Sequence, residues 1–233
     1  MAAFRALVFA ALIAGVAAGL VSSALQAWTM WPLIDAAEVM ETTAAAGHDQ
    51  HGHDHQAHQH DGADWSPDGA LRHSLTVLFN IAAGVGFGLI LNALIRLWML
   101  QTGRFIRPWE GVAWGAAGFT TFALAPALGL PPELPGMMSG ELLARQIWWI
   151  ATAIGTAGGI AIMTFLGPRW RGLGPVLILA PHLFGAPQAD GHGPVPGEMA
   201  AAFATASLSA AAVFWVVLGW ISALMQRRPD HTA

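Results

Sequence analysis

The sequence predicts an all-α, polytopic transmembrane helical bundle. Three observations carry that prediction: five apolar segments long enough to span a bilayer, very little charge within them, and arginines gathered on alternate connections. Of the 233 residues, 55% are hydrophobic and only 10% are charged. Soluble domains carry about 25% charged residues, so this chain cannot clothe a water-facing surface.

A span needs about 20 mostly apolar residues. Segments 4–31, 71–100, 109–130, 142–166 and 199–225 meet that length. The first continues directly into Trp28 and Trp31, which suit a membrane interface. Its apolar run exceeds the ~7–15 residues of a signal core, so it reads as a span and not as a cleaved leader. A sixth stretch, 173–185, is shorter and carries Pro175 and Pro181. By length alone it reads as a re-entrant segment or a broken helix.

Charge decides between five and six crossings. With six, Arg5, Arg96, Arg104, Arg107, Arg169, Arg171, Arg227 and Arg228 all fall on one side, and only Arg72 and Arg145 fall on the other. That is a positive-inside pattern. With five, the C-terminal arginine pair would land outside. The expected arrangement is therefore one membrane domain over 1–233, six spans, and both termini in the cytoplasm. Residues 41–70 are expected to form a disordered His-rich outer loop within it.

Small residues recur four apart at Gly15 and Gly19, Gly84 and Gly88, Gly111 and Gly115, and Gly155 and Gly159. The last span offers Ala206 and Ala210, and Ser207 and Ala211. Such stripes let helices approach closely, either within the bundle or between copies in a homo-oligomer. Packing within one bundle is the expected use. No internal repeat supports an inverted-repeat transporter fold.

Composition also excludes chemistry. The chain has no Cys and no Lys. Disulfides, thiolate metal sites, a P-loop lysine and a Schiff-base lysine are all ruled out. No Ser-His-Asp elbow, H-E-x-x-H motif or phosphate-binding glycine loop is present, so neither catalysis nor an organic cofactor is expected. Nothing in the chain points to nucleic acid.

On the six-span topology, nine of the ten His and twelve of the fourteen acids lie on the outer side. An acidic surface raises the local concentration of cations. The first outer loop carries His48, His51, His53, His55, His58 and His60, interleaved with Asp49, Asp54 and Asp61. Imidazole and carboxylate are good ligands for first-row divalent ions. Flexible spacing predicts weak binding and fast exchange. Such a loop follows the affinity order of the metals and prefers copper, nickel or zinc to cobalt. The bland alternative is a solvated spacer or a pH-sensitive loop, since His titrates near ~6.5.

More specific metal candidates sit at the span ends. Asp35 and Glu38 follow Pro32, and they share a face if the helix persists past that proline. Prolines 131, 132 and 135 hold Glu133 in a rigid turn. His182 lies near the outer end of the short segment, and His192 and Glu198 follow in the last outer loop. These groups are expected to converge into one vestibule. Arg145 is expected to pair with Glu133 or Glu141, and the Trp148–Trp149 pair to anchor the interface.

The span-end motifs resemble those of the CbtA family of predicted bacterial cobalt transporters. The matching elements are Gln26 with Pro32-Leu33-Ile34 and Glu38; Pro132-Glu133-Leu134-Pro135-Gly136; Arg145-Gln146 with Trp148, Trp149 and Thr152; Pro181-His182 with Gly185-Ala186-Pro187; and Ser207-Leu208 with Phe214-Trp215. Their order and spacing make the match fairly specific, and they run through almost the whole chain. The resemblance implies a cytoplasmic-membrane importer of Co2+ linked to cobalamin synthesis; the ligand chemistry itself leaves Ni2+ or Zn2+ as alternative ions. It also implies a small single-span partner, CbtB, that bears histidines. The family is usually described with about five spans, against six from the arginines. Two other functions remain open: a membrane metalloenzyme holding its metal through Glu133 and His182, and an accessory metal-sensing or assembly subunit.

Overall fold

A computed structural model describes residues 1–48, 69–189, 191 and 193–226. Every regular element among the described residues is helical. The elements are α1 (Ala2–Thr29), α2 (Trp31–His48), α3 (Gly69–Thr102), α4 (Pro108–Phe119), a π turn (Thr120–Leu124), α5 (Ala125–Ala127), α6 (Leu142–Phe165), a 3-10 turn (Pro168–Trp170), α7 (Leu173–Phe184) and α8 (Gly197–Gln226). Four helical stretches are each long and apolar enough to cross a membrane: Phe4–Thr29, Gly69–Thr102, Leu142–Phe165 and Gly197–Gln226. The third apolar segment is helical from Pro108 to Ala127, interrupted by the π turn, where the Ala125 N–H reaches back to the Thr120 carbonyl.

Small residues set the packing. The buried hydrophobic positions of α1 are all alanines: Ala10, Ala11, Ala14 and Ala18. Gly15 of α1 faces Gly84 of α3 so closely that a Cβ on either would strike the other's backbone. Gly19 lies on Asn80 and Ile81, and Gly88 lies on Ala11, so α1 and α3 are antiparallel. Gly111 meets Gly219 and Gly115 meets Trp215, which sets α4 antiparallel to α8. Gly159 meets Gly174 and Gly155 meets Leu177, which sets α6 antiparallel to α7. The glycine stripes therefore serve close packing within the bundle, as membrane helices with no hydrophobic force between them require.

The helices form two groups. α1, α3, α4 and α8 pack around Leu91, Ile95, Met99, Trp215 and Leu218. The α6–α7 pair joins them mainly through the π turn and α5. Phe122, within the π turn, stacks on Trp215 with centroids 5.6 Å apart and planes 5° apart, and it also meets Trp149 at 6.2 Å. Large apolar side chains such as Phe79, Ile90, Ile154 and Val176 face outward. A surface of that kind suits hydrocarbon and not water.

Polar side chains within the spans bond across helices. Asn80 donates to Ser23 Oγ at 3.0 Å and to Gln26 Oε1 at 2.9 Å, tying α3 to α1. Asn92 is fully buried; it donates to Ser222 Oγ at 2.9 Å and accepts from Gln226 at 2.7 Å, tying α3 to α8. In hydrocarbon such groups have no water to turn to.

These contacts fix the path of the chain. α1, α4 with α5, and α7 run one way; α3, α6 and α8 run the other. α7 is 12 residues long and rises about 18 Å, less than the ~30 Å hydrocarbon core. Residues 185–188 are not helical and reach the backbone of Gly129 and Gly140. α7 and this non-helical continuation together bring the chain from the end of α6 back to its beginning. Gly185 makes the turn out of α7 at φ 81°, a conformation that favours glycine.

Three expectations change. Helix covers 41–48 and 69–70, both ends of the stretch expected to lack structure, because Ala44, Ala45 and Ala46 are strong helix formers that extend α2. Trp148 is not an interface anchor. It is buried against Gly129 and donates to the Pro181 carbonyl at 3.1 Å, so it clamps α7 to α6. The joint between α1 and α2 falls at Met30, and Pro32 sits in the first turn of α2, where its missing N–H is harmless.

Candidate functional site

The two ends of the bundle differ in charge. One carries Arg5, Arg96, Arg104, Arg107, Arg169 and Arg171, with Glu110 capping α4 and pairing with Arg104 at 3.1 Å. The other carries Asp35, Glu38, Glu41, Glu133, Glu141 and Glu198. The metal candidates among the described residues lie at this acidic end.

The first group spans α2 and α3. Because α2 runs on past Pro32, Asp35 and Glu38 share one face of it. Arg72 of α3 bridges the two, with Nη2 2.9 Å from Asp35 Oδ1 and Nη1 2.6 Å from Glu38 Oε1. Beside it, the His73 ring stacks on Trp31 at 3.7 Å with planes 2° apart. Gln26, Met30, Ile34 and Thr76 complete the wall of a cavity of about 150 Å3.

The second group joins the loop before α6 to its first turns. Arg145 Nη2 lies 2.6 Å from Glu133 Oε2, which also accepts from Ser139 Oγ at 2.6 Å. Glu141 is not Arg145's partner; it caps α6, accepting from the N–H groups of Leu143 and Ala144. Glu133, Arg145, Gln146, Trp149, Ser207 and Leu208 line part of a cavity of about 690 Å3 between α5, α6 and α8. Of the motif positions singled out in the sequence, Pro132, Glu133, Arg145, Gln146, Trp149, Ser207 and Leu208 meet there.

His182 is held elsewhere. Its Nδ1 is 3.0 Å from the Ile178 carbonyl oxygen and its Nε2 3.0 Å from that of Ala125. The Trp148 ring stands edge-on to it at 5.5 Å. Both ring nitrogens are engaged, so metal ligation there requires one of these contacts to open.

His51, His53, His55, His58, His60 and His192 lie outside the described residues, and His48 is the last residue of α2. Among the described residues, no three His, Asp or Glu side chains converge to hold a metal ion. Asp35, Glu38 and Glu133 are instead each taken up by an arginine. The sequence reading missed His73 as a candidate. An Arg-His pair opening an apolar span is the signal that could have found it, since ionisable groups at membrane depth usually have a partner or a task.

A helical bundle with one acidic end, one arginine-rich end and a cavity beside each ion-paired carboxylate group at the acidic end fits the class of polytopic membrane proteins that handle ions. The chain belongs to the CbtA family: the family's model, described as a probable cobalt transporter subunit, matches residues 4–227. No curated protein and no solved structure matches the chain. A cobalt transporter subunit has cobalt as its ion, and a subunit implies a partner chain.

Proposed function

We propose that this chain brings Co2+ into the cell across the bacterial cytoplasmic membrane and that the ion serves cobalamin synthesis. The observation that carries the reading is the one-sided placement of ligand-type groups. Asp35, Glu38, Glu133 and His182 share the end of the bundle to which the His-rich segment 49–68 is tethered; of the eight described arginines only Arg72 and Arg145 join them there, and the other six collect at the opposite end.

In this reading the acidic end faces outward and six crossings place α1's start and α8's end in the cytoplasm. The antiparallel order of the six apolar passes supports that count. His48, His51, His53, His55, His58 and His60 gather the ion by weak, fast exchange. Asp35, Glu38, Glu133, His182 and His192 take it up at the mouth. A loose N/O site also accepts Ni2+ or Zn2+, so selection for cobalt falls to the mouth and not to the loop. A small single-span subunit bearing histidines is the partner. The bilayer is the other surface the chain contacts.

Uptake of labelled cobalt by otherwise identical cells with and without the gene tests the proposal. Faster accumulation with the gene supports it; equal accumulation refutes it.

A further inference from the structure

We infer that His73, Asp35 and Glu38 form a divalent-cation site at the base of the His-rich segment, and that Arg72 fills this site as a tethered counter-cation until the ion displaces it. The inference rests on the transport reading and adds to it a ligand and a competitor.

Charge gives the first argument. One guanidinium bridging two carboxylates leaves the group with one uncancelled negative charge, whereas a divalent ion cancels both. Exposure gives the second. The side chains of Arg72, Asp35 and Glu38 are 36%, 58% and 40% exposed, against 24% and 22% for Arg145 and Glu133. Exposed ion pairs hold weakly. Arg72 can therefore be exchanged, while the Arg145 pair is the structural one.

The imidazole gives the third. His73 Nε2 is buried and has no hydrogen-bond partner among the described residues. Native chains rarely leave such an atom unused. Stacking on Trp31 fixes the ring in the wall of the same cavity that Asp35, Glu38 and Arg72 line. An imidazole nitrogen with two carboxylate groups is a donor set for first-row divalent ions. With Arg72 in place the ligands do not converge, so site formation and Arg72 release are one event. Arg72 leaves with its charge intact and swings toward water.

Connectivity gives the fourth. Segment 49–68 joins the end of α2 to the start of α3, the two helices that supply every charged residue and the imidazole of this cavity. An ion released by the loop is already tethered within reach of it.

The test is Co2+ binding to the purified full-length chain in which His51, His53, His55, His58 and His60 are changed to Gln to remove the loop's background. Calorimetry gives the affinity, and the visible Co2+ absorption reports nitrogen ligation. Arg72→Gln is expected to tighten binding about tenfold. Adding His73→Gln is expected to remove that gain and shift the absorption toward an all-oxygen environment. Unchanged or weaker binding in Arg72→Gln overturns the inference. If Arg72→Gln fails to fold, Arg72→Lys takes its place: a lysine lacks the planar fork that holds one acid on each arm and so grips the pair less firmly, so tighter binding is expected and unchanged binding overturns the inference. Cellular uptake is read separately. Gene-dependent uptake with no Arg72 effect refutes this site alone, whereas a working site without gene-dependent uptake refutes the transport reading.

Discussion

Arg145 and Glu133 lie twelve positions apart in the chain, and their side chains meet at 2.6 Å in the wall of the 690 Å3 cavity. Each is roughly three-quarters buried, and Arg145 Nε is buried with no other partner among the described residues. The pair pins the proline-rich turn to the first turns of α6.

Arg145→Gln should therefore destabilise the fold by roughly 1–3 kcal/mol, because it leaves a largely buried carboxylate without its partner. Thermal unfolding in detergent measures this. Pairing it with Glu133→Gln should restore part of the loss, giving a nonzero coupling in a double-mutant cycle. Independent effects of the two substitutions would show that the contact contributes nothing.

The α1–α3 seam gives a sharper contrast. Gly84→Leu should abolish recovery of folded protein, since even a Cβ there meets the Gly15 carbonyl oxygen. Gly86→Ala, two residues on, meets nothing within 4 Å and should be neutral or slightly stabilising. Size-exclusion profiles of the detergent-extracted variants separate the two.

Asn92→Leu removes hydrogen bonds to Ser222 and Gln226 at the α3–α8 contact. The expected loss is about 0.6–1.7 kcal/mol, the range measured for hydrogen bonds between membrane helices. A shift in the unfolding midpoint reads it; an unchanged midpoint would assign the contact to packing alone.

His182→Ala cuts the contact between α7 and the Ala125 carbonyl. It should lower stability by about 1 kcal/mol. If the ring also serves the ion, uptake falls further than stability explains. His182→Asn, which keeps a side-chain donor, separates the two: restored stability with uptake still low assigns the ring to the ion.

Much of the fold was legible because lipid leaves few options. A bilayer demands long apolar helices, so segment lengths carried the all-helical membrane fold. The glycine stripes were legible for the same reason. What escaped was long-range pairing. No local pattern says that Arg72 reaches back 34 positions to Glu38, or that Trp148 finds the Pro181 carbonyl. The π turn was equally hidden, since Thr120–Leu124 reads as ordinary apolar helix. At the candidate site the sequence nominated the carboxylates but not their arginines, because a ligand type is a property of one residue and a counter-ion is a property of the fold.

The most direct test of the central claim is labelled-cobalt uptake in cells carrying the intact gene, no gene, or the gene without residues 48–60. The account predicts accumulation with the intact gene at low external cobalt. It predicts that the loop deletion raises the cobalt concentration needed without abolishing uptake. Accumulation that is the same in all three would contradict it.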